Sequence, residues 1–510
     1  MKRIKKYLII GLAAITLTSC NKWLTVYPEN EQVTDNFWTS KEEVDAVLCS
    51  GYYYLREAVP NILDWGELRA GAVYSKSTNS LQTFQVLATD KAYSNWGPFY
   101  QVINMANLVL KNTDKVLTVD NTLAEAQANS FKAEAYFLRA LSYFYIVRIW
   151  REAPLILEPY EDDETSYNAP SSSEDAIIRQ IKNDIITAIQ SGAAKETFEK
   201  EADIKGRATI WALNALYADV CLWSGEYETT VKACDAILNS SSSQAPAFML
   251  GLTDETKWHR MFNPGNSNES IFEIQYSYSL NENNKNKLWT TYFSADPQYL
   301  LSPKMTDNLL EDITEASVAT NAMENAVRSF GTGLYATAAS ASTITYTNFC
   351  WKYAVGDAGP GSSRGSQYPN FIVYRVAEIK LMKAEAEAML QHFDSAIEQL
   401  NDIRTRGGLS KLSDAFVANA NEETLLTEIL NQRNIEFLAE GKRWFDLLRY
   451  GRCQGGKYHD QFVSLITDYN VTANPSWIRS VLSDENACFM PVWETELENN
   501  PALKQNPYYE

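Results

Sequence analysis

Two stretches of this chain are copies of one pattern, and that repetition constrains the fold more than anything else in it. In GRATIWALNALYADVCLWSGEYETTVKACDAIL, Leu213, Leu216, Val220 and Trp223 recur at helical spacing. After Gly225 the spacing resumes with Tyr227, Val231, Cys234 and Leu238. In AEIKLMKAEAEAMLQHFDSAIEQLNDIR the same places fall to Ile379, Met382, Ala386 and Met389, then Phe393, Ile397 and Leu400. The offset is constant: Ala218 matches Ala384, Tyr227 matches Phe393 and Ile237 matches Ile403. Each copy predicts a helical hairpin with an apolar stripe on both arms. One such hairpin cannot bury its stripes alone, so the hairpins must stack.

Small residues at the helix contacts and an aromatic after the turn resemble tetratricopeptide units. Earlier segments add further helices. Ser40-Lys41-Glu42-Glu43 is a capping box opening a helix with Val44, Val47, Leu48 and Tyr52. WGPFYQVINMANLVL, from Trp96, is helical in spacing, and a long helix runs from about Leu123 to Trp150, stopping near Pro154. Ser171-Ser172-Ser173-Glu174 caps another. About four helical pairs follow from this, separated by inserted sequence. Residues 60–93, with Trp65, Gly66, Gly71 and Tyr74, read as a loop region with exposed aromatics. So does the insert at about 239–374, apart from one strand candidate at Ile271–Tyr276. The predicted fold is mostly α: tetratricopeptide-like hairpins as a scaffold, a loop-rich face and a few short strands.

The densest stretch is NQRNIEFLAEGKRWFDLLRYG, Asn431–Gly451. Its apolar residues are helically spaced, and Gly441 stands where a helix would end or bend. Its charges alternate in sign at helical spacing: Arg433 with Glu436, Glu440 with Arg443, Arg443 with Asp446, Asp446 with Arg449. We therefore expect Arg433, Glu436, Glu440, Arg443 and Asp446 to satisfy one another and to lock the late helices together, an architectural role.

The chain begins as an export signal. Lys2, Arg3, Lys5 and Lys6 precede an apolar run, Tyr7–Leu17, too short to span a bilayer. Leu17-Thr18-Ser19-Cys20 resembles a lipoprotein cleavage box, in which residues 1–19 are removed and Cys20 is acylated. The alternative is an ordinary secretory signal near a cysteine. Asn21-Lys22-Trp23 leaves periplasmic and outward orientation both open. The six remaining cysteines are scattered without CxxC spacing, which argues against a disulfide framework or a zinc site. Net charge is −19 with the signal included. A chain this acidic lacks the field to draw nucleic acid or anionic lipid over a wide surface.

Local signatures of catalysis lack their context. Gly361-Ser362-Ser363-Arg364-Gly365 fits G-x-S-x-G but has glycine and proline where a strand and a helix are needed. His259, His392 and His459 have no neighbours at metal-ligand spacing, and no cofactor or metal is expected. The aromatics are the better lead. A sugar presents C–H bonds on its faces and hydroxyls at its rim, which suit Trp or Tyr planes beside Asn, Gln, Asp and Arg. Trp65, Tyr74, Trp289 and Tyr292 stand beside such residues and are the candidate ligand contacts, whereas Trp96, Trp150 and Trp444 lie in periodic segments and read as core.

Asn431–Gly451 also resembles the C-terminal motif of the SusD/RagB family of nutrient-binding outer-membrane lipoproteins. DNFWTSKEEVDAVLCSGYYYL, RALSYFYIVRIWREAPL, NESIFEIQYS and the tail FMPVWETELENNPALKQNPYYE resemble further family segments, in the right order. The resemblance implies an N-terminal helical region at 20–238, a loop-rich insert at 239–374 bearing the ligand face and a C-terminal region at 375–510, packed as one unit. It implies no enzyme. The expected function is a cell-surface lipoprotein that binds a nutrient, a glycan or oligosaccharide first among them. It would deliver that nutrient to a SusC-like TonB-dependent transporter in the outer membrane. Peptide capture in the same kind of complex and a scaffold binding only proteins are the alternatives.

Overall fold

The computed structural model describes residues 37–161, 168–250, 258–276, 288–293, 297–320, 326–332, 349–350, 352–356, 359–363 and 368–510. The signal segment and Cys20 lie outside them. Helix α1 (Lys41–Glu67) starts on the expected capping box: Ser40 accepts from the Glu43 amide, and Glu43 accepts in return. It also corrects the sequence reading, because residues 60–67 are its last two turns and not a loop. Pro60 sits inside the helix. Its missing N–H is outweighed by the burial of Ile62, Leu63 and Trp65, all in the core.

Helices α2 (Gly97–Val119), α3 (Glu125–Trp150) and α4 (Glu174–Gln190) follow, each packed on the one before, α2 against α1 as well. The twin hairpins then appear at the predicted offset. They are α5 (Ile210–Trp223) with α6 (Tyr227–Leu238), and α8 (Val376–Met389) with α9 (Phe393–Arg406). Their turns agree as well. Gly225 has φ +74° and Gln391, its counterpart, has φ +64°, so each arm is reversed through a left-handed residue. The hairpins touch through α6 and α8.

Between them the insert holds a helix that the sequence reading missed, α7 (Pro303–Thr320). Met305, Leu309, Ile313 and Ala316 form its buried stripe. Four short antiparallel pairings complete the described residues, two of which matter here. Strand β1 (Val73–Ser75) pairs with β3 (Tyr299–Leu301), and β2 (Ser270–Ile274) pairs with β4 (Phe371–Arg375). β2 is the expected strand, and β4 was not anticipated. It ends at Arg375, one residue before α8.

The Asn431–Gly451 stretch is two helices, α10 (Glu422–Glu436) and the start of α11 (Arg443–Gly456), joined by a turn in which Ala439 and Gly441 have positive φ. α12 (His459–Tyr469) follows α11. The turn meets α1 backbone to backbone. A Cβ on Gly66 would lie 2.1 Å from the Gly441 carbonyl oxygen, and the Gly441 amide donates to Glu67 Oε1 at 2.7 Å.

The charges of this stretch are buried, and most of their partners are not the expected ones. Glu436 takes Arg375 at 2.6 Å, and Arg406 as well. Glu440 takes Lys352 at 2.6 Å and Arg375 at 2.9 Å. Arg433 reaches Asp446 at 2.7 Å, and Arg443 donates to the Leu430 carbonyl at 2.9 Å. Of the four local pairs, only Asp446 with Arg449 forms, at 3.3 Å. The break at 437–442 destroys the helical spacing across it, and Glu436 before it and Glu440 within it point at β4, α9 and Lys352. Burial opposes ionisation of Glu436. The guanidiniums of Arg406, Arg375 and Arg328 outweigh it and hold the carboxyl down at about 2.

Candidate functional site

Of the four candidate aromatics, Tyr74 lies in the β1–β3 ribbon and Tyr292 packs on the ribbon's Tyr299, whereas Trp65 packs against Phe99 and Trp150. Tyr74 pairs with Leu300 and Ser75 with Tyr299 in register, and the Lys76 amide extends the ladder to the Gln298 carbonyl at 3.0 Å. Short local contacts bring the chain to this point. Gly71 turns with φ +78° against the backbone of Asn470, where a Cβ would lie 2.8 Å from the amide nitrogen. Asn79 then caps the short helix Ser80–Thr83.

Beneath the ribbon lies a buried hub on Asp64, in the last turns of α1. Its carboxylate accepts the Tyr299 hydroxyl at 2.8 Å and the Tyr93 hydroxyl at 3.2 Å. Asn79 donates to Tyr93 Oη at 2.7 Å, and the Trp65 indole donates to the Tyr93 carbonyl at 3.3 Å. Burial first, and then the Asp64 charge, push both phenols above the usual tyrosine range, so they stay protonated as donors. The Tyr292 ring stands edge-on to Tyr299 at 5.4 Å.

This arrangement separates the four residues. Trp65, Trp289 and Tyr292 are 2%, 8% and 0% exposed. They are core residues supporting the ribbon and have no free face for a sugar. Tyr74 alone is half-buried, and Lys76, Ser77, Thr78 and Gln298, which follow or oppose it along the two strands, are exposed. Periodicity could not separate them, because Trp65 is buried by contacts to Phe99 and Trp150 that come from other helices. Residues 277–287 and 294–296, adjoining this face in sequence, lie outside the described residues.

Metal-ligating groups do not gather here or elsewhere among the described residues. No cluster of three His, Cys, Asp or Glu is spaced to hold a metal. Ser363 ends a short strand, and the described chain after it, from Tyr368, leads into β4 and not into a helix. The histidines are dispersed: His259 is buried, with burial pushing its imidazole down to about 4, and His392 precedes α9.

Fold and site together define a mostly helical protein with a loop-borne face built over one end of α1. Comparison with known proteins makes this specific. A model of the SusD family matches residues 314–509, and one described as starch-binding associating with outer membrane matches residues 22–222. The SusD-like protein P38 of Formosa agariphila is 25% identical over the full length of both chains. A SusD superfamily structure from Bacteroides thetaiotaomicron superposes with a TM-score of 0.70 at 22% identity, covering 93% of this chain and 99% of its own. A laminarin-binding SusD-like protein superposes with a TM-score of 0.68 at 22% identity, covering 92% and 99%. The chain belongs to the SusD/RagB family.

Proposed function

We propose that this protein is an outer-membrane lipoprotein that captures a glycan at its loop face and passes it to a SusC-like TonB-dependent transporter. The ribbon carries the reading. Half-buried Tyr74 stands on a ribbon whose Tyr299 is anchored to the buried Asp64 hub, and exposed Lys76, Ser77, Thr78 and Gln298 follow along the same two strands, which is the composition that sugar faces and rims require. The laminarin-binding relative and the starch-binding description of the matching family model support the substrate class. The tether is Cys20, acylated after loss of residues 1–19. A multiply acylated cysteine inserts with about 0.8 kcal/mol per buried methylene, enough to hold a body this size at a membrane. No helix of the described residues is long and apolar enough to cross one. Binding here involves no chemistry: the ribbon offers a surface and a rigid support.

The test is calorimetric titration of the full chain with neutral hexasaccharides of β-glucan, α-glucan and xylan type. Binding that falls about tenfold or more on Tyr74→Ala supports the reading. Peptide binding in place of saccharide binding keeps the capture role and overturns the substrate. In cells, Cys20→Ala releasing the protein from the membrane fraction supports the anchor, and unchanged retention overturns it.

A further inference from the structure

A groove of about 720 Å³ lies outside the ribbon, and no expected ligand residue lines it. Three distant stretches build it around α1: the first turns of α2, the segment at 154–160 and the C-terminal segment at 496–503. Its size suits a small-molecule site, for which about 300–1,000 Å³ is typical.

Its walls are fixed in place. The Tyr100 hydroxyl donates to the Pro154 carbonyl at 2.6 Å, and its ring stands 5.9 Å from that of Trp96 at 67°. Asn104 clamps Tyr160 by the backbone on both sides, donating to its carbonyl at 3.3 Å and accepting from its amide at 2.8 Å. Asn500 likewise donates to the Ala169 carbonyl at 2.8 Å and accepts from the Ala502 amide at 3.0 Å. Both amides are thereby committed to holding the wall, which the half-buried Tyr54, Tyr100 and Tyr160 also line.

Other groups are left over. The Tyr54 hydroxyl and the side-chain amides of Gln101 and Asn499 make no hydrogen bond within the described chain, and both amides are exposed at the rim. Glu496 adds a carboxylate, oriented by the Trp96 indole and pushed upward by its partial burial. No lysine or arginine lines the groove. Flat rings, spare amides, a spare hydroxyl and a carboxylate acceptor match the C–H faces and hydroxyls of a sugar. With no cation present, uronic or sulfated sugars would meet an uncompensated carboxylate.

We propose that this groove is a second saccharide site, selective for neutral sugar rings and independent of the ribbon. The two faces share a support, because Trp150 packs on both Trp65, which is bonded to the hub residue Tyr93, and Trp96 in the groove wall. A polymer that reached both would gain by effective concentration, with no stronger contact at either.

The test titrates the full chain, in detergent, with laminarihexaose, cellohexaose and xylohexaose as neutral probes and hexagalacturonate as the anionic one. Gln101→Ala and Asn499→Ala alter exposed rim residues and keep the fold, and Tyr54→Ala removes a ring. The expected result is a binding event for at least one neutral probe that each variant weakens about 5- to 10-fold, the scale of one lost hydrogen bond or ring contact. That event survives Tyr74→Ala. The proposal is overturned if no neutral probe binds, if all neutral binding is indifferent to the three rim variants, or if hexagalacturonate binds the groove more tightly than the neutral probes. Failure of the ribbon assignment looks different: Tyr74→Ala then leaves every binding event unchanged.

Discussion

Asn431–Gly451 and the groove between Tyr54 and Asn499 are both rich in groups that bind ligands, yet they differ in where those groups find partners. In the first, the charges are buried and most of them meet opposite charges from other elements. The atoms left without a hydrogen bond, among them Nε and Nη1 of Arg433 and Oδ1 of Asn434, are buried and cannot meet a ligand. In the second, the fixed amides hold the wall, while other amides and a hydroxyl face outward without a partner. Composition ranks the first region as the site, and the accounting of partners ranks the second. A polar group signals recognition when its own protein leaves it unsatisfied at a surface, and architecture when it does not.

The comparison can be broken most directly at Glu436. Glu436→Ala removes the anion that Arg375, Arg406 and Arg328 share, and leaves only Glu269, Glu440 and Asp312 to balance them in the buried network. We expect a loss of about 3–5 kcal/mol in urea unfolding, with saccharide affinity of the folded fraction unchanged. A loss below about 1 kcal/mol would show that the network is dispensable. Next comes Gly66→Ala. Its methyl would sit on the Gly441 carbonyl, so α1 must shift, at a cost of about 1–3 kcal/mol; a Tm equal to that of the parent would contradict the backbone contact.

Glu67 sharpens the contrast through pH. Burial, opposed by the Gly441 amide, pushes its carboxyl up to about 8. Because the folded value is raised, the protonated acid's contribution is fully present below the ordinary carboxylate range. It is lost as pH rises through about 8. Glu67→Gln keeps the acceptor without the charge. Its Tm should match that of the parent near pH 5 and exceed it increasingly toward pH 9, by on the order of 1 kcal/mol per unit of raised pKa. A constant difference across that range would refute the assignment. The smallest effect on stability is expected at Tyr74→Ala, within about 0.5 kcal/mol, although saccharide binding at the ribbon should drop. Thermal melts and titrations on the same samples separate the two.

Much of the architecture was legible in the sequence because it is local. The capping box at Ser40, the 166-residue offset between hairpins and the break at Gly441 are written in neighbouring residues, and the structure has them. The stripe of α7 was legible too and was overlooked among polar neighbours. What could not be read depends on distant contacts. Glu436 answers to Arg375 and not to Arg433, because the chain folds back through β4. Trp65 and Tyr292 are buried and Tyr74 is not, although all three stand in similar sequence. The groove draws on residues some 400 positions apart, and neither Asn499 nor Gln101 has any local sign of it.

The contact between α1 and the Gly441 turn also sets an order of events. Glu67 and Gly441 are separated by 374 residues, and Arg69 reaches the Ala487 carbonyl across 418. Contacts of such high sequence separation carry a loop-closure cost before they give any return. The first helix of the described chain can form by its own capping and pack on α2 early, but its last turn cannot meet the Gly441 turn until almost the whole sequence has been synthesised. The ribbon hub, built on the last turns of that helix, therefore assembles late, and truncations near the C-terminus should disable a face made mostly of N-terminal residues.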